Sequence, residues 1–260
     1  MSNRFRTWYL PALALSVVCQ VPAAESAMGT VSTSSAARSM GAGQPTTDGV
    51  DIDGALTQCL DAPDKQSTGD QDACIVEATH AWDARLNANY RALQAELPEA
   101  SRPILLAAQR AWLASRDADL KLIAAVYATV RGTMYAPMNA NDVMMLTKRR
   151  AQTLTRYAAD LSYAASGEFR PITAKAVGSS DIDAVARRMT RRLPAASGNT
   201  VRVSNEKWRA FMTAETALIA VVCPQGNAAA GQACRVAQAR AASAARLEWL
   251  TGLDRLIGAN

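Results

Sequence analysis

Histidine is almost missing from this chain: His80 is the only one in 260 residues. A single histidine with no second histidine or cysteine beside it makes a poor metal site. No serine is placed to complete a nucleophile–base–acid set with His80 and the nearby Asp83. Aromatic residues are scarce as well, at 5%. Alanine is abundant and carries the smallest helix cost, so the chain can be helical without a large aromatic core. There is no glycine-rich loop of the kind that cradles phosphate, and no pair of carboxylates stands out as an acid/base couple for glycoside cleavage. The residues therefore assign no catalytic, cofactor-binding or metal role, and the chain reads as a non-enzyme. The net charge of +5 includes Arg4 and Arg6, which belong to a segment expected to be removed. The remaining excess is too small for a nucleic-acid binder, although weak attraction to an anionic surface stays open.

The removable segment is "MSNRFRTWYLPALALSVVCQVPAA". A basic start, an apolar run from Trp8 to Val18 and small residues before Ala23 make the layout of a secretory signal peptide, residues 1–23, cleaved after Ala23. The apolar run is too short to span a membrane, and no later segment is long and apolar enough. Val18 precedes Cys19 where lipid-modification cleavage wants a small residue, which argues against a lipid anchor. A periplasmic or secreted protein is expected. Removing Cys19 leaves Cys59, Cys74, Cys223 and Cys234. An even count in an oxidising compartment favours disulfides over metal. Four cysteines allow three pairings, and the sequence does not choose among them. The local pairing would close two short loops, each contributing about 2–4 kcal/mol.

Residues 24–52 are rich in Gly, Ser, Thr and Ala and bury too little apolar surface to order, so they read as a flexible leader. Order should begin near Ala55. From about Asp72, Ile75, Trp82, Leu86, Tyr90, Leu93 and Leu97 recur every three or four residues, an amphipathic helix closed by Pro98. Ser101 and Pro103 suit the start of a second helix, carrying Ile104, Ala108, Trp112, Leu120, Ile123, Tyr127 and Val130. The stretch "GTMYAPMNAN", 132–141, reads as a loop before a third helix from Asp142 to about Ser162. Short connections between long amphipathic helices imply antiparallel neighbours in a bundle. Periodicity lapses after that, and residues 167–202 read as a linker holding a short basic helix, "DIDAVARRMTRRL", whose arginine run is expected to be a solvated face. A second unit, 203–260, has one helix over Trp208–Val222, a turn "CPQGNAAAGQAC" and a final helix. Its first helix repeats a phrase of the first unit. Trp112/Trp208, Ala118/Ala214, Leu122/Leu218, Ile123/Ile219 and Val126/Val222 coincide, with an acid at Asp119/Glu215. The fold class is thus all-α: a small antiparallel helical bundle with a second, shorter helical unit, stapled by disulfides.

The first unit, 53–166, carries Cys74, Trp82, Asp83, Leu86, Asn87, Tyr90, Leu93, then Gln109, Arg110, Trp112, Arg116, Asp117, Ala118, then Thr147 and Arg150. In order and spacing these residues resemble the LprI-type lysozyme-inhibitor family, small exported bacterial domains, over roughly residues 55–161. The second unit looks like a degenerate copy. Two departures stand out. Leu120 occupies one of the family's cysteine positions and Met144 and Met145 stand near its partner, a joint replacement by residues able to fill core space. Cys223 falls seven residues beyond the equivalent site in the second unit.

The resemblance implies a binding protein that docks on a lysozyme or other muramidase and blocks it, through a rigid protruding loop rather than catalytic groups. The loops 132–141 and 223–234 are the candidates. Alternatives are a structural or stress-response module of the envelope, or an immunity-type protein against a rival's muramidase. Asp83 and Asn87, one helical turn apart, read as buried hydrogen-bonding spacers. Trp112 and Trp208 read as core anchors.

Overall fold

Asp51 opens the described chain: its carboxylate accepts the Gly54 N–H at 2.9 Å and caps a helix, α1, over Ile52–Asp61. A computed structural model describes residues 51–166 and 176–259. The expected cleavage site Ala23, Cys19, most of the leader and the start of the expected linker lie outside these residues. Ser67 caps α2, Thr68–Glu96, by accepting the Asp70 N–H at 3.2 Å. Pro98, lacking a donor, ends it. A 3₁₀ turn at Glu99–Ser101 leads into α3, Arg102–Tyr127. Ser101 closes that turn and makes no side-chain cap, contrary to expectation. Gly132, at a φ of +118°, redirects the chain into α4, Tyr135–Ser166. The expected loop 132–141 is therefore mostly the first two turns of α4, and Pro137 is tolerated there because first-turn N–H groups need no helical acceptor.

The basic helix α5 covers Ser179–Arg192, with the Asp181 carboxylate accepting the Gly178 N–H at 3.0 Å. A second 3₁₀ turn, Ala195–Ser197, precedes α6, Gly198–Val222. That helix starts ten residues before the expected Trp208, because Val201, Ser204 and Asn205 in its polar opening are buried. Asn227 caps α7, Ala228–Leu256, by accepting the Ala230 N–H at 3.0 Å. Only Cys223–Asn227 of the expected turn 223–234 is non-helical, since the run Ala228–Ala230 propagates helix readily. No strand occurs among the described residues.

The all-α, disulfide-stapled class holds, with Cys59–Cys74 tying α1 to α2 and Cys223–Cys234 tying the end of α6 to α7. Helix pairing does not follow chain order. The principal partner of α2 is α4, and the two run parallel. Lys148 lies over the Trp82 ring, while seven residues further along α2 Asn89 bonds Ala151 O and Thr155. The antiparallel relation falls instead to α3 and α6, which pack along their length. Helix α5 seats against α7 and α6. Its arginines are not merely solvated: Arg188 and Arg192 both bind the buried Asp254 carboxylate, and Arg192 Nη2 donates to Ile257 O at 2.7 Å. Arg187 and Arg191 face outward.

Two apolar cores result, and each draws on both halves of the chain. One joins Trp82, Leu86, Leu93, Trp112 and Leu154 to Leu218, Ile219 and Val222. The other joins Leu122, Ile123 and Val126 to Met189, Trp249 and Leu250. All the described residues lie in one compact unit beginning at Pro45.

Candidate functional site

Arg150 on α4 and Glu215 on α6 form an ion pair at 2.5 Å, each side chain only 2% exposed. Arg150 Nε donates to Gln109 Oε1 on α3 at 3.0 Å, and Tyr157 OH donates to Glu215 Oε1 at 2.8 Å. Burial, reinforced by the Glu215 charge, pushes the Tyr157 phenol well above its usual range, so it remains a donor. The Arg150 guanidinium lies 5.9 Å from the Trp112 ring and 5.4 Å from that of Phe211.

A second pair mirrors the first. Arg246 on α7 meets Asp119 on α3 at 2.8 Å and donates to Ser204 Oγ at 2.6 Å and Asn205 Oδ1 at 3.0 Å on α6. Its guanidinium is 4.7 Å from the Trp249 ring and 5.6 Å from that of Trp208. Burial raises the Asp119 carboxyl above its usual value, against the opposing pull of Arg246 and of the Ser204 hydroxyl. Arg246 stands 96 positions after Arg150, Glu215 96 after Asp119, and Asn205 96 after Gln109, the separation of Trp208 from Trp112. Each arginine pairs with the acid of the other half, so the two pairs cross between α3 and α6. Such pairs are costly to bury unless fully hydrogen-bonded and strongly resist losing one member; here they lock the two halves in register.

Between the pairs lies a cleft of about 250 Å³, bounded by α3, α4, α6 and α7. Arg149, Arg150, Arg156 and Arg246 line it with the carboxylates of Asp119 and Glu215; Arg116 and the exposed Gln152 sit where it meets solvent. A larger and shallower groove runs outside the bundle past Leu56, Leu60, Met134, Met138, Leu247 and Leu256. Met134 is 60% exposed and Met138 37%.

Of the residues singled out in the sequence, Gln109, Trp112, Arg116 and Arg150 converge on the cleft. Trp82 and Leu86 are buried and Tyr90 half-buried in the α2–α4 seam, and Thr147 is buried on α4. Asp83 and Asn87 are exposed rather than buried, bonded to each other at 3.2 Å. Asp117 is also exposed and pairs with its neighbour Arg116 at 2.9 Å. Trp112 is a core residue as expected, but Trp208 is only half-buried, and both line the cleft. Tyr157, Ser204 and Arg246 were not anticipated as site residues, and Asp119 and Glu215 were noted only as matching acids. For Asp119, Glu215 and Arg246 the signal was the constant spacing of 96, which the apolar pattern does not report.

Residues 59–154 match the family model described as lysozyme inhibitor LprI. No curated protein matches the chain. Among solved structures, a crystal structure of an uncharacterised protein from Burkholderia thailandensis is similar at 25% identity and a TM-score of 0.63. The likeness covers 81% of this chain and 98% of that one. That share is more than twice the length of 59–154, so the common fold extends into the second half. No helix among the described residues is long and apolar enough to cross a membrane. The match to an inhibitor family over 59–154 suggests a lysozyme-inhibitor-like, non-catalytic role, and together with the two disulfides it suggests an extracytoplasmic location. Over residues 59–154, this chain is thus similar to the lysozyme inhibitor LprI family.

Proposed function

We propose that the protein is an exported, periplasmic inhibitor of a lysozyme-like muramidase, acting by docking rather than by chemistry. The observation that carries this reading is the family match over 59–154. A docking inhibitor needs a rigid surface with a few anchoring side chains, not reactive groups. The segment 132–138 meets that requirement. It presents Met134 and Met138 to solvent beside the outer groove, and α4 holds it in place. Exposed methionines adapt readily to a partner's contours. The second anticipated segment, 223–234, is less suited, because most of it is helix and both its cysteines are buried.

On this reading residues 1–23 are removed on export, and the second half is an abbreviated copy of the first. Its α5 packs on α7 as α2 packs on α4. The copy supplies Glu215 and Leu218 to complete a core that the family domain does not close alone.

The test is binding of the mature, oxidised chain to a panel of immobilised lysozymes. Saturable binding to at least one of them, weakened at least about tenfold by Met134→Glu with Met138→Glu, is the expected result. Equal binding by the wild type and the double variant would move the docking surface elsewhere. No binding to any lysozyme would contradict the inhibitor reading.

A further inference from the structure

The cleft between the two ion pairs carries more hydrogen-bonding capacity than the protein itself uses. Among the described residues, six buried side-chain nitrogen or oxygen atoms have no partner. Five belong to residues lining this cleft: Arg150 Nη2, Arg156 Nε, Arg246 Nε, Trp249 Nε1 and Glu215 Oε2. Arg150, Arg246, Trp249 and Glu215 are all more than nine-tenths buried. Native folds leave few such groups unsatisfied, so their concentration on one cavity is the mark of a site completed by something else.

The balance of these groups defines its chemistry. Four of the five atoms are donors and one is an acceptor. Arg150 and Arg246 each pair directly with a carboxylate, whereas Arg149 and Arg156 make no ion pair among the described residues and interact only at longer range, Arg149 with Glu248 and Asp142 and Arg156 with Asp160. The surplus is positive, which disfavours a cationic guest. A bare inorganic anion would satisfy the guanidinium and indole donors but would face the unpaired Glu215 oxygen with another negative charge. The volume of about 250 Å³, on the order of eight waters at about 30 Å³ each, suits one small organic molecule. The indoles of Trp112 and Trp208 form part of the wall.

We propose that this cleft binds a small carboxylic acid bearing a hydroxyl or ammonium donor next to the carboxylate and a ring-shaped body. The carboxylate accepts from Arg150 Nη2 and Arg156 Nε, the two orphaned donors on α4, charge-assisted bonds of the stronger kind. The adjacent donor reaches Glu215 Oε2, and the ring lies against the indole wall. Because the cleft joins α3 and α4 to α6 and α7, an occupied site ties the family domain to the second half. The proposal does not depend on the inhibitor reading, since the cleft lies between the helices and the Met134 patch outside them.

The probe is 3-phenyllactate, titrated into the mature, oxidised chain and followed by tryptophan fluorescence and calorimetry. Its amide, which keeps ring and hydroxyl but loses the charge, is the first control; sulfate, an anion without ring or donor, is the second. Saturable binding of phenyllactate with a dissociation constant below about 1 mM is expected. The amide and sulfate should each bind at least about tenfold more weakly. Arg156 stands outside both buried ion pairs, so Arg156→Met should keep the wild-type melting temperature and lysozyme binding while losing phenyllactate by a similar factor. The proposal is overturned if phenyllactate does not saturate, if the amide or sulfate matches it, or if Arg156→Met binds as the wild type does.

Discussion

Arg246 and Asp119 depend on one another, because each side chain is almost fully buried. Arg246→Met should lower the unfolding free energy by about 3–5 kcal/mol, since it leaves the buried Asp119 charge unpaired. Adding Asp119→Leu should recover most of that loss, because an apolar pair incurs no desolvation penalty. Urea denaturation of the three proteins separates the cases, and a double variant weaker than the single one would show that the pair contributes more than mutual neutralisation. Asp160 offers a test by pH. Burial raises its carboxyl above the usual value near 3.8, although the Gln238 amide and Arg156 pull the other way. The folded chain therefore takes up this proton at higher pH than the unfolded chain. The contribution of Asp160 to stability grows as pH falls through the raised value and levels off below about 3.8. Relative to Asp160→Asn, the wild type should gain stability between neutral pH and about pH 4. Urea midpoints that stay parallel across that range would contradict the assignment. Residues of this kind were hard to read from the sequence. Trp82, Leu86, Leu93 and Leu122 announce themselves by helical spacing, but buried Arg150 and Arg246 look like any surface arginine until a carboxylate is found beside them.

Among the elements, the turn between α6 and α7 has the least freedom. A Cβ placed on Gly231 would come within 2.3 Å of the Pro224 carbonyl oxygen, a backbone atom with nowhere to go. Gly231→Ala should therefore destabilise the protein by about 1–3 kcal/mol, as overpacking does, even though alanine is the better helix former. A thermal melt checks this, and an unchanged or raised melting temperature would mean the turn shifts freely. The helices themselves were legible because their apolar residues keep a 3.6-residue period. Their boundaries were less so. The opening of α6, "GNTVRVSNEK", is polar and holds two β-branched valines, yet Val201, Ser204 and Asn205 are buried against other helices. Tertiary contact, not local propensity, made that stretch helical. In the same way, the arginine run of α5 became partly structural only through Asp254, 62 positions after Arg192.

For the whole molecule, the extent of the cores is what the sequence concealed. The family domain ends at residue 154, but its core includes Leu218, Ile219, Val222 and the buried Cys223–Cys234 pair. A chain cut after residue 166 would expose the apolar faces of α3 and α4 and lose Glu215 from Arg150. That fragment should not unfold cooperatively, and a sharp urea transition from it would show that the first half is self-sufficient. Periodicity and cysteine count were enough to anticipate helices and staples. Which helix lies against which depends on long-range packing, and so the parallel α2–α4 seam and the α3–α6 crossing became visible only in the fold. The candidate surface follows the same division: the family match is written along 59–154, while the groove beside Met134 and Met138 is assembled from α1, α2, α4 and α7.

The most direct test of the inhibitor account is the clearing of a peptidoglycan suspension by a panel of lysozymes, with and without a stoichiometric amount of mature, oxidised protein. The account predicts that clearing by at least one lysozyme slows, and that Met134→Glu with Met138→Glu restores its rate. Unchanged clearing by every lysozyme, from a folded sample with both disulfides formed, would contradict it.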